Sequence, residues 1–344
     1  MGHRLSTALK SGLVSLLRRS RLAAPLRERL GGAGVILLLH EIHDDLAREL
    51  MTGCPPSLLT LVVNSLRRDG WDIVGLDEAL RRIAHGIAAT PFAVLTFDDG
   101  YRDTLSRALP ILERLKTPFT VYVPTGAVTR ELYAWWLALR ALFRSHEEVA
   151  IDCMGRRFEC ADLAGKIAAL KAAASWVHQD YRRNFELVPT FVAYGISPAA
   201  LAEEYFLDCD ELRALARHPL VTIGAHTTSH AALSTLEPGQ ARCEMAENKI
   251  YLERLLDAEV THFAYPYGDP RACGGREAEI ARQLGFLSAV TGEASPVYPE
   301  HRHRMHRLPR VAVRPDETPE TLYYRASGLG RAMNAHKRRR FANA

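Results

Sequence analysis

Short apolar runs recur along this chain, and most of them end on a turn or a polar residue. They are "GVILLLHEI" (34–42), "PFAVLTFDD" (91–99), "TPFTVYVPTG" (117–126), "LVTIGAH" (220–226), "VTHFAYPYG" (260–268) and "FLSAVTG" (286–292). Each is too short and too continuous for a surface helix, so each predicts a buried strand. "WDIVGL" (71–76) predicts a shorter strand, and "HRLPRVAV" (306–313) predicts the last one. Between them the apolar spacing changes to three and four. "SLLTLVVNSLRRDG" (57–70) reads as a helix stopped at Gly70, and "TLSRALPILERLK" (104–116) as an amphipathic helix. "GQARCEMAENKIYLERLL" (239–256) and "REAEIARQLG" (276–285) follow the same pattern. Strands alternating with helices predict parallel β/α units, either a barrel or a doubly wound sheet.

Residues 130–215 break the rhythm. Strand-like runs thin out and Ala/Leu/Arg-rich stretches such as "ADLAGKIAALKAAASWV" take over. This predicts a helical insertion between β/α units. In such architectures function gathers at the C-terminal ends of the strands. His40, Asp98, Asp99, His226 and Tyr267 all fall at or near those ends.

Composition adds a charge asymmetry. The chain has 344 residues and a net charge of +4. Residues 1–30 carry +6 and residues 331–344 carry +5, which leaves the body at −7. Leu5, Leu9, Leu13, Leu16 and Leu17 share one helical face, flanked by Arg4, Lys10, Arg18 and Arg19. That pattern suits a helix packed on the body or one lying on an anionic membrane surface. No stretch reaches the roughly 18–20 apolar residues of a membrane span, and no secretory signal is expected. The tail "HKRRR" reads as a solvated end, with no nucleic-acid fold beside it. Cysteines at 54, 153, 160, 209, 243 and 273 form no CxxC pair. Neither a zinc ribbon nor a disulfide framework is therefore indicated, and a reducing compartment is expected.

Two features carry chemistry. Asp98 and Asp99 are adjacent like charges at the end of an apolar run, and such a pair needs a cation or a shared proton. "GAHTTSH" places His226 and His230 four apart after another strand. Two imidazoles and one carboxylate form a set that holds a divalent ion and leaves positions open. The second acid then stays free for proton transfer.

"TFDDG", "HTTSH" and "FAYPYG", in that order, resemble the first three motifs of the polysaccharide deacetylase family, the NodB-homology type of carbohydrate esterase. The resemblance covers about residues 34–313. It implies an α/β fold, a distorted (β/α)7-type barrel, carrying the insertion at about 130–215. Residues 1–33 then form a basic amphipathic helical region and 314–344 a basic tail. It implies hydrolysis of N-acetyl, less often O-acetyl, groups on a GlcNAc-containing saccharide. Asp99, His226 and His230 would bind the metal, and Asp98 would be the general base. Thr227, Thr228 and Ser229 would shape the histidine loop. The Tyr267 N–H would donate to the oxyanion. Zinc is the first expectation, with cobalt, nickel or manganese also suited to these ligands.

The third motif departs from the commonest pattern. Many members have Arg two residues before the Pro-Tyr; here Ala264 stands there. Arg310, in "RLPRV", is a candidate replacement as partner of Asp98, or else it pairs with a surface acid. "VILLLHEI" resembles the subgroup that deacetylates poly-N-acetylglucosamine and related exopolysaccharides, in which this strand comes first. His40 would then be the general acid. It could also be a core histidine, and His301, His303 and His306 cluster near the usual C-terminal place for the acid. Trp135 and Trp136 read as core or as a sugar-stacking surface, and Tyr101 and Arg102 as pocket lining or the start of the next helix. Two other functions stay open: hydrolysis of another non-peptide C–N bond, such as a cyclic ureide or imide, and saccharide binding without turnover. A cytoplasmic location is expected, with contact at the inner membrane surface and no nucleic-acid partner.

Overall fold

The computed structural model describes residues 14–16, 18, 32–86 and 90–329. The elements run β1 (Gly34–Leu39), α1 (Pro56–Arg68), β2 (Asp72–Ile73), α2 (Leu76–His85), β3 (Phe92–Phe97), α3 (Leu109–Arg114), β4 (Phe119–Val123) and α4 (Thr125–Val128). Next come α5 (Trp135–Ser145), β5 (Glu148–Ile151), β6 (Arg156–Glu159), α6 (Leu163–Gln179), α7 (Val188–Ala193), α8 (Pro198–Tyr205) and α9 (Cys209–Ala216). The last are β7 (Val221–Ala225), α10 (Pro238–Leu256), β8 (His262–Ala264), α11 (Gly275–Gln283), β9 (Ser288–Val290), β10 (Val311–Ala312) and α12 (Pro319–Ala326).

The main sheet is parallel, in the order β10-β1-β3-β4-β7-β8-β9, with β2 also paired to β3. Its two ends are joined by one extended stretch. Leu308 bonds to Ala289 and Thr291 beside β9, while Val311 and Ala312 pair with Leu37 and Leu38 of β1. The sheet curls into the distorted barrel that the motifs implied, and the doubly wound alternative falls away.

The strand runs are continuous because both faces are covered. Ala93, Leu95 and Phe97 of β3 join a core with Leu37, Leu59, Val63 and Val121, between sheet and outer helices. Phe92 and Val94 turn the other way and meet Ile36, Tyr122, Ala264 and Val290 inside the barrel. Strand alternation therefore aims Thr96 and Asp98 inward as well. Helix α1 seals the outside with Leu58, Leu59, Val62, Val63 and Leu66. Full burial of each is worth about 1.5–3 kcal/mol.

The insertion is mixed. It contains α5 to α8 as expected, but 148–159 form an antiparallel hairpin, β5 with β6. Its alternation is hidden by the charges of "EVAI" and "RRFE", whose inward residues Val149, Ile151 and Phe158 are the buried ones. The helix expected at 104–116 opens as a π-helix over Thr104–Ala108. Outside the barrel, Val14 is buried with Tyr323 and Leu329. Arg18 pairs with Asp69 and Glu320, so this turn docks on the body, while Leu16 is exposed. Leu5, Leu9, Leu13 and Leu17, and the "HKRRR" tail, lie outside the described residues. All six cysteines are free, and Cys54, Cys160 and Cys273 are buried.

Candidate active site

Asp98 and Asp99 are neighbours in sequence but face different partners. Asp98 continues the inward alternation of β3. Its two oxygens accept from the two terminal nitrogens of Arg310, each at 2.7 Å. Arg310 is itself 2% exposed and donates further to the Thr291 carbonyl (3.0 Å) and Thr96 Oγ1 (3.1 Å). Burial alone would raise the Asp98 carboxyl; the Arg310 guanidinium and the nearby His226 outweigh it and hold the acid below its usual range. A fork-on-fork pair of this kind keeps a carboxylate ionised and fixed in orientation. Arg310 thus reaches Asp98 from the segment that closes the barrel, not from the third motif.

Asp99 departs from the strand. Its φ is +71°, and Gly100 follows at +68°, so the chain swings away and carries the Asp99 side chain toward β7. His226 Nε2 and His230 Nε2 lie 3.3 and 3.2 Å from Asp99 Oδ1. All three residues are buried. Burial pushes the Asp99 carboxyl up, but the two imidazoles outweigh it and set it well below the ordinary carboxylate range. Burial lowers both imidazoles, but the closeness of Asp99 and the charge of both acids overcome it at His226, which is raised, and not at His230, which stays lowered.

The donor set fits a divalent ion. Asp99 Oδ1 is buried without a hydrogen-bond partner of good geometry among the described residues. His226 Nδ1 lies 2.7 Å from the Ala264 carbonyl. A carbonyl only accepts, so Nδ1 holds the proton and Nε2 presents a lone pair. Bonds of about 2.1 Å in a tetrahedral shell put neighbouring ligand atoms about 3.4 Å apart. The observed 3.2–3.3 Å separations match that spacing.

The surrounding shell fixes this geometry. Asn248, fully buried on α10, accepts from the His226 N–H (2.8 Å) and donates to the Val123 carbonyl and Thr125 Oγ1. Glu244, one turn earlier, accepts from the Thr228 and Ser229 N–H groups and from the Ser229 hydroxyl. Neither residue stands out in sequence as part of a motif. Asn248 left one signal: it shares the buried stripe of α10 with Ala241, Met245 and Leu252. Strain marks the same place. Thr227, His230 and Tyr267 join Asp99 at positive φ (+65°, +58°, +62°), each a cost of about 1–3 kcal/mol.

The insertion supplies one wall. Trp135 is 2% exposed and donates its indole N–H to Tyr267 Oη (2.9 Å). Trp136 packs its ring 4.7 Å from that of His230 and donates to Tyr101 Oη (2.7 Å). Tyr181 stacks on Tyr267 at 4.1 Å. The Tyr267 N–H makes no backbone bond among the described residues. His40 stands exposed at the end of β1, and its charge acts on both Asp98 and Asp99. His301, His303 and His306 are engaged elsewhere, with Tyr298, Arg302 and the Phe286 carbonyl. Arg102 braces the insertion, bonding Glu211 and the carbonyls of Glu203 and Glu204.

A curled parallel barrel with paired acids and two histidines over its strand ends defines a deacetylase-type α/β scaffold. Residues 86–289 match the family described as polysaccharide deacetylase, and the chain belongs to that family. It is similar to the poly-beta-1,6-N-acetyl-D-glucosamine N-deacetylase of Escherichia coli (strain K12). That similarity is 29% identity over 299 residues, 81% of this chain and 36% of that protein. The fold resembles the Streptococcus pyogenes deacetylase PplD solved with acetate (TM-score 0.58, 18% identity, 85% of this chain and 97% of that one). It also resembles IcaB from Ammonifex degensii (TM-score 0.54, 20% identity, 87% and 99%). The chain spans between about a third and a half of the length of the curated relatives it matches.

Proposed function

We propose that this chain is a metal-dependent hydrolase that removes N-acetyl groups from a GlcNAc-containing saccharide. One observation carries the reading: Asp99, His226 and His230 converge on one point, beside an Asp98 held ionised by Arg310. The E. coli relative's name supports the substrate class. A bound divalent ion, zinc first, supplies a lowered water pKa and a polarised amide carbonyl.

The chain's own groups supply the rest. Asp98, ionised and aimed into the barrel mouth, takes the proton from the attacking water. The Tyr267 N–H donates to the oxygen that gains charge as the carbonyl carbon becomes tetrahedral. His40 gives a proton to the departing amine, and acetate leaves. Arg310 does not touch substrate; it stops Asp98 from drifting toward neutrality in a buried place. Trp135 and Trp136 exclude water from one side. The Arg310 fork on Asp98 supports turnover over a binding-only relative, whose ground was the Arg missing before Pro266.

In the same reading residues 34–313 form the deacetylase barrel, with basic flanks at 1–33 and 314–344. The protein works in the cytoplasm, with the N-terminal helix against an anionic membrane surface. Co-sedimentation with anionic vesicles, lost when residues 1–17 are removed, checks that placement. The function is tested by acetate release from N-acetylglucosamine oligomers with and without chelator. Release that chelator stops and zinc restores, absent in His226→Ala, is expected. Release unaffected by chelator would sink the metal-dependent reading.

A further inference from the structure

Helix α5 of the insertion carries Trp136, Arg140 and Arg144 at four-residue spacing, hence on one face. Trp136 touches the histidine loop, as described. Arg140 does something the barrel chemistry has not used. It is 3% exposed, and its terminal nitrogens bond both oxygens of Glu41 at 2.7 and 2.6 Å. It also donates to Thr52 Oγ1 (2.6 Å), lies 3.1 Å from Glu49, and sits over the Tyr205 ring. Arg144 adds a contact to Glu49 at 3.4 Å. Glu41, Glu49 and Arg140 are all buried, while Arg144 reaches the surface.

Glu41 immediately follows His40. The other neighbours of His40 are fixed too. The Asp98 N–H bonds the Leu39 carbonyl (3.0 Å), the Glu41 carbonyl accepts from Cys54, and the Ile42 N–H donates to Asp103 Oδ2 (2.8 Å). The His40 ring itself makes no hydrogen bond among the described residues and is exposed. An exposed imidazole with no partner of its own can be aimed only through its backbone.

We infer that Arg140 is a positioning residue. Its buried fork on Glu41 sets the backbone of the His40 loop, so the insertion aims the proton donor as well as walling the site. The inference rests on the hydrolase reading and on His40 as acid.

The test separates proton donation from everything else. An amide needs its leaving amine protonated; an aryl acetate leaves as a stable phenolate and does not. Wild type, His40→Gln, Arg140→Met and the double variant Glu41→Gln/Arg140→Met are assayed on an N-acetylglucosamine oligomer and on 4-nitrophenyl acetate. The double variant removes both members of the fork together, leaving Glu49 with Arg144, and so protects the test against simple unfolding. The ratio of amide to ester kcat/KM is expected to fall at least about tenfold in His40→Gln and in both Arg140 variants. Arg140→Lys, which cannot form the fork, recovers the ratio only in part. A merely structural role lowers both activities together and leaves the ratio unmoved. A ratio that falls in His40→Gln but not in the Arg140 variants would overturn the positioning role alone. Wild type inactive on both substrates, or a ratio unmoved in His40→Gln, would overturn the underlying reading and the inference with it.

Discussion

Replacing Arg310 with Met deletes a guanidinium and keeps much of its stem. Asp98 then stays 3% exposed with its fork gone. Breaking a buried ion pair from one side costs about 3–5 kcal/mol. The protein can escape part of that cost by protonating the acid, and this makes the cost depend on pH. In the wild type, burial raises the Asp98 carboxyl but Arg310 and His226 hold it below its usual value. A depressed folded-state pKa contributes stability above the unfolded value of roughly 4 and loses it as pH falls through the folded value. Without Arg310 the largest opposing charge is gone, and burial pushes the folded value upward. Each unit of rise then costs about 1.4 kcal/mol once the pH exceeds the raised value. The gap between wild type and variant should be about 3–5 kcal/mol near pH 8 and shrink steadily toward about pH 5. Urea unfolding at both pH values, with chelator present, measures it. A gap of equal size at the two pH values would refute the argument, because lost packing rather than a lost charge partner would then explain it.

Asp99→Asn should lose both bound metal and acetate release, whereas Asp98→Asn should keep the metal and lose the release; elemental analysis beside an acetate assay tells them apart. Asn248→Ala leaves the His226 N–H and the Val123 carbonyl without their side-chain partner, at about 1–3 kcal/mol per buried group. It should lower the thermal midpoint and weaken metal affinity by about tenfold or more, and an unchanged metal titration would show that Asn248 does not position His226. Gly268 has φ +67°, and a Cβ there would stand 2.2 Å from the Gly292 nitrogen. Gly268→Ala should therefore disrupt the Tyr267 turn and cost more than the roughly 1–3 kcal/mol of a strained φ alone. A melt within a degree or two of wild type would contradict that packing.

Much of this was legible because buried parallel strands write themselves as unbroken apolar runs, and because Asp98, Asp99, His226 and His230 sit within a few residues of strand ends. What escaped has a common physical cause. The Arg140–Glu41 and Arg310–Asp98 pairs join residues 99 and 212 apart, so no local pattern encodes them. Arg310 could be nominated only because a buried acid lacked a cation. The left-handed turns at Thr227 and His230 carry no glycine to announce them, and at Asp99 and Tyr267 the glycine stands one residue later. The 148–159 hairpin was hidden because its outward residues are charged and its neighbours are rich in alanine and leucine.

The stretch from Leu308 to Ala312 joins the two ends of the sheet and also carries Arg310. Biosynthesis gives that economy a consequence. While the ribosome is still adding residues before 308, the nascent chain can hold Asp98, Asp99 and both histidines, yet the sheet is open and Asp98 has no cation bonded to it. On the proposed mechanism, the base Asp98 gains its guanidinium partner only when the last strand docks. Closure of the barrel and the pairing of Asp98 with its cation are therefore one event.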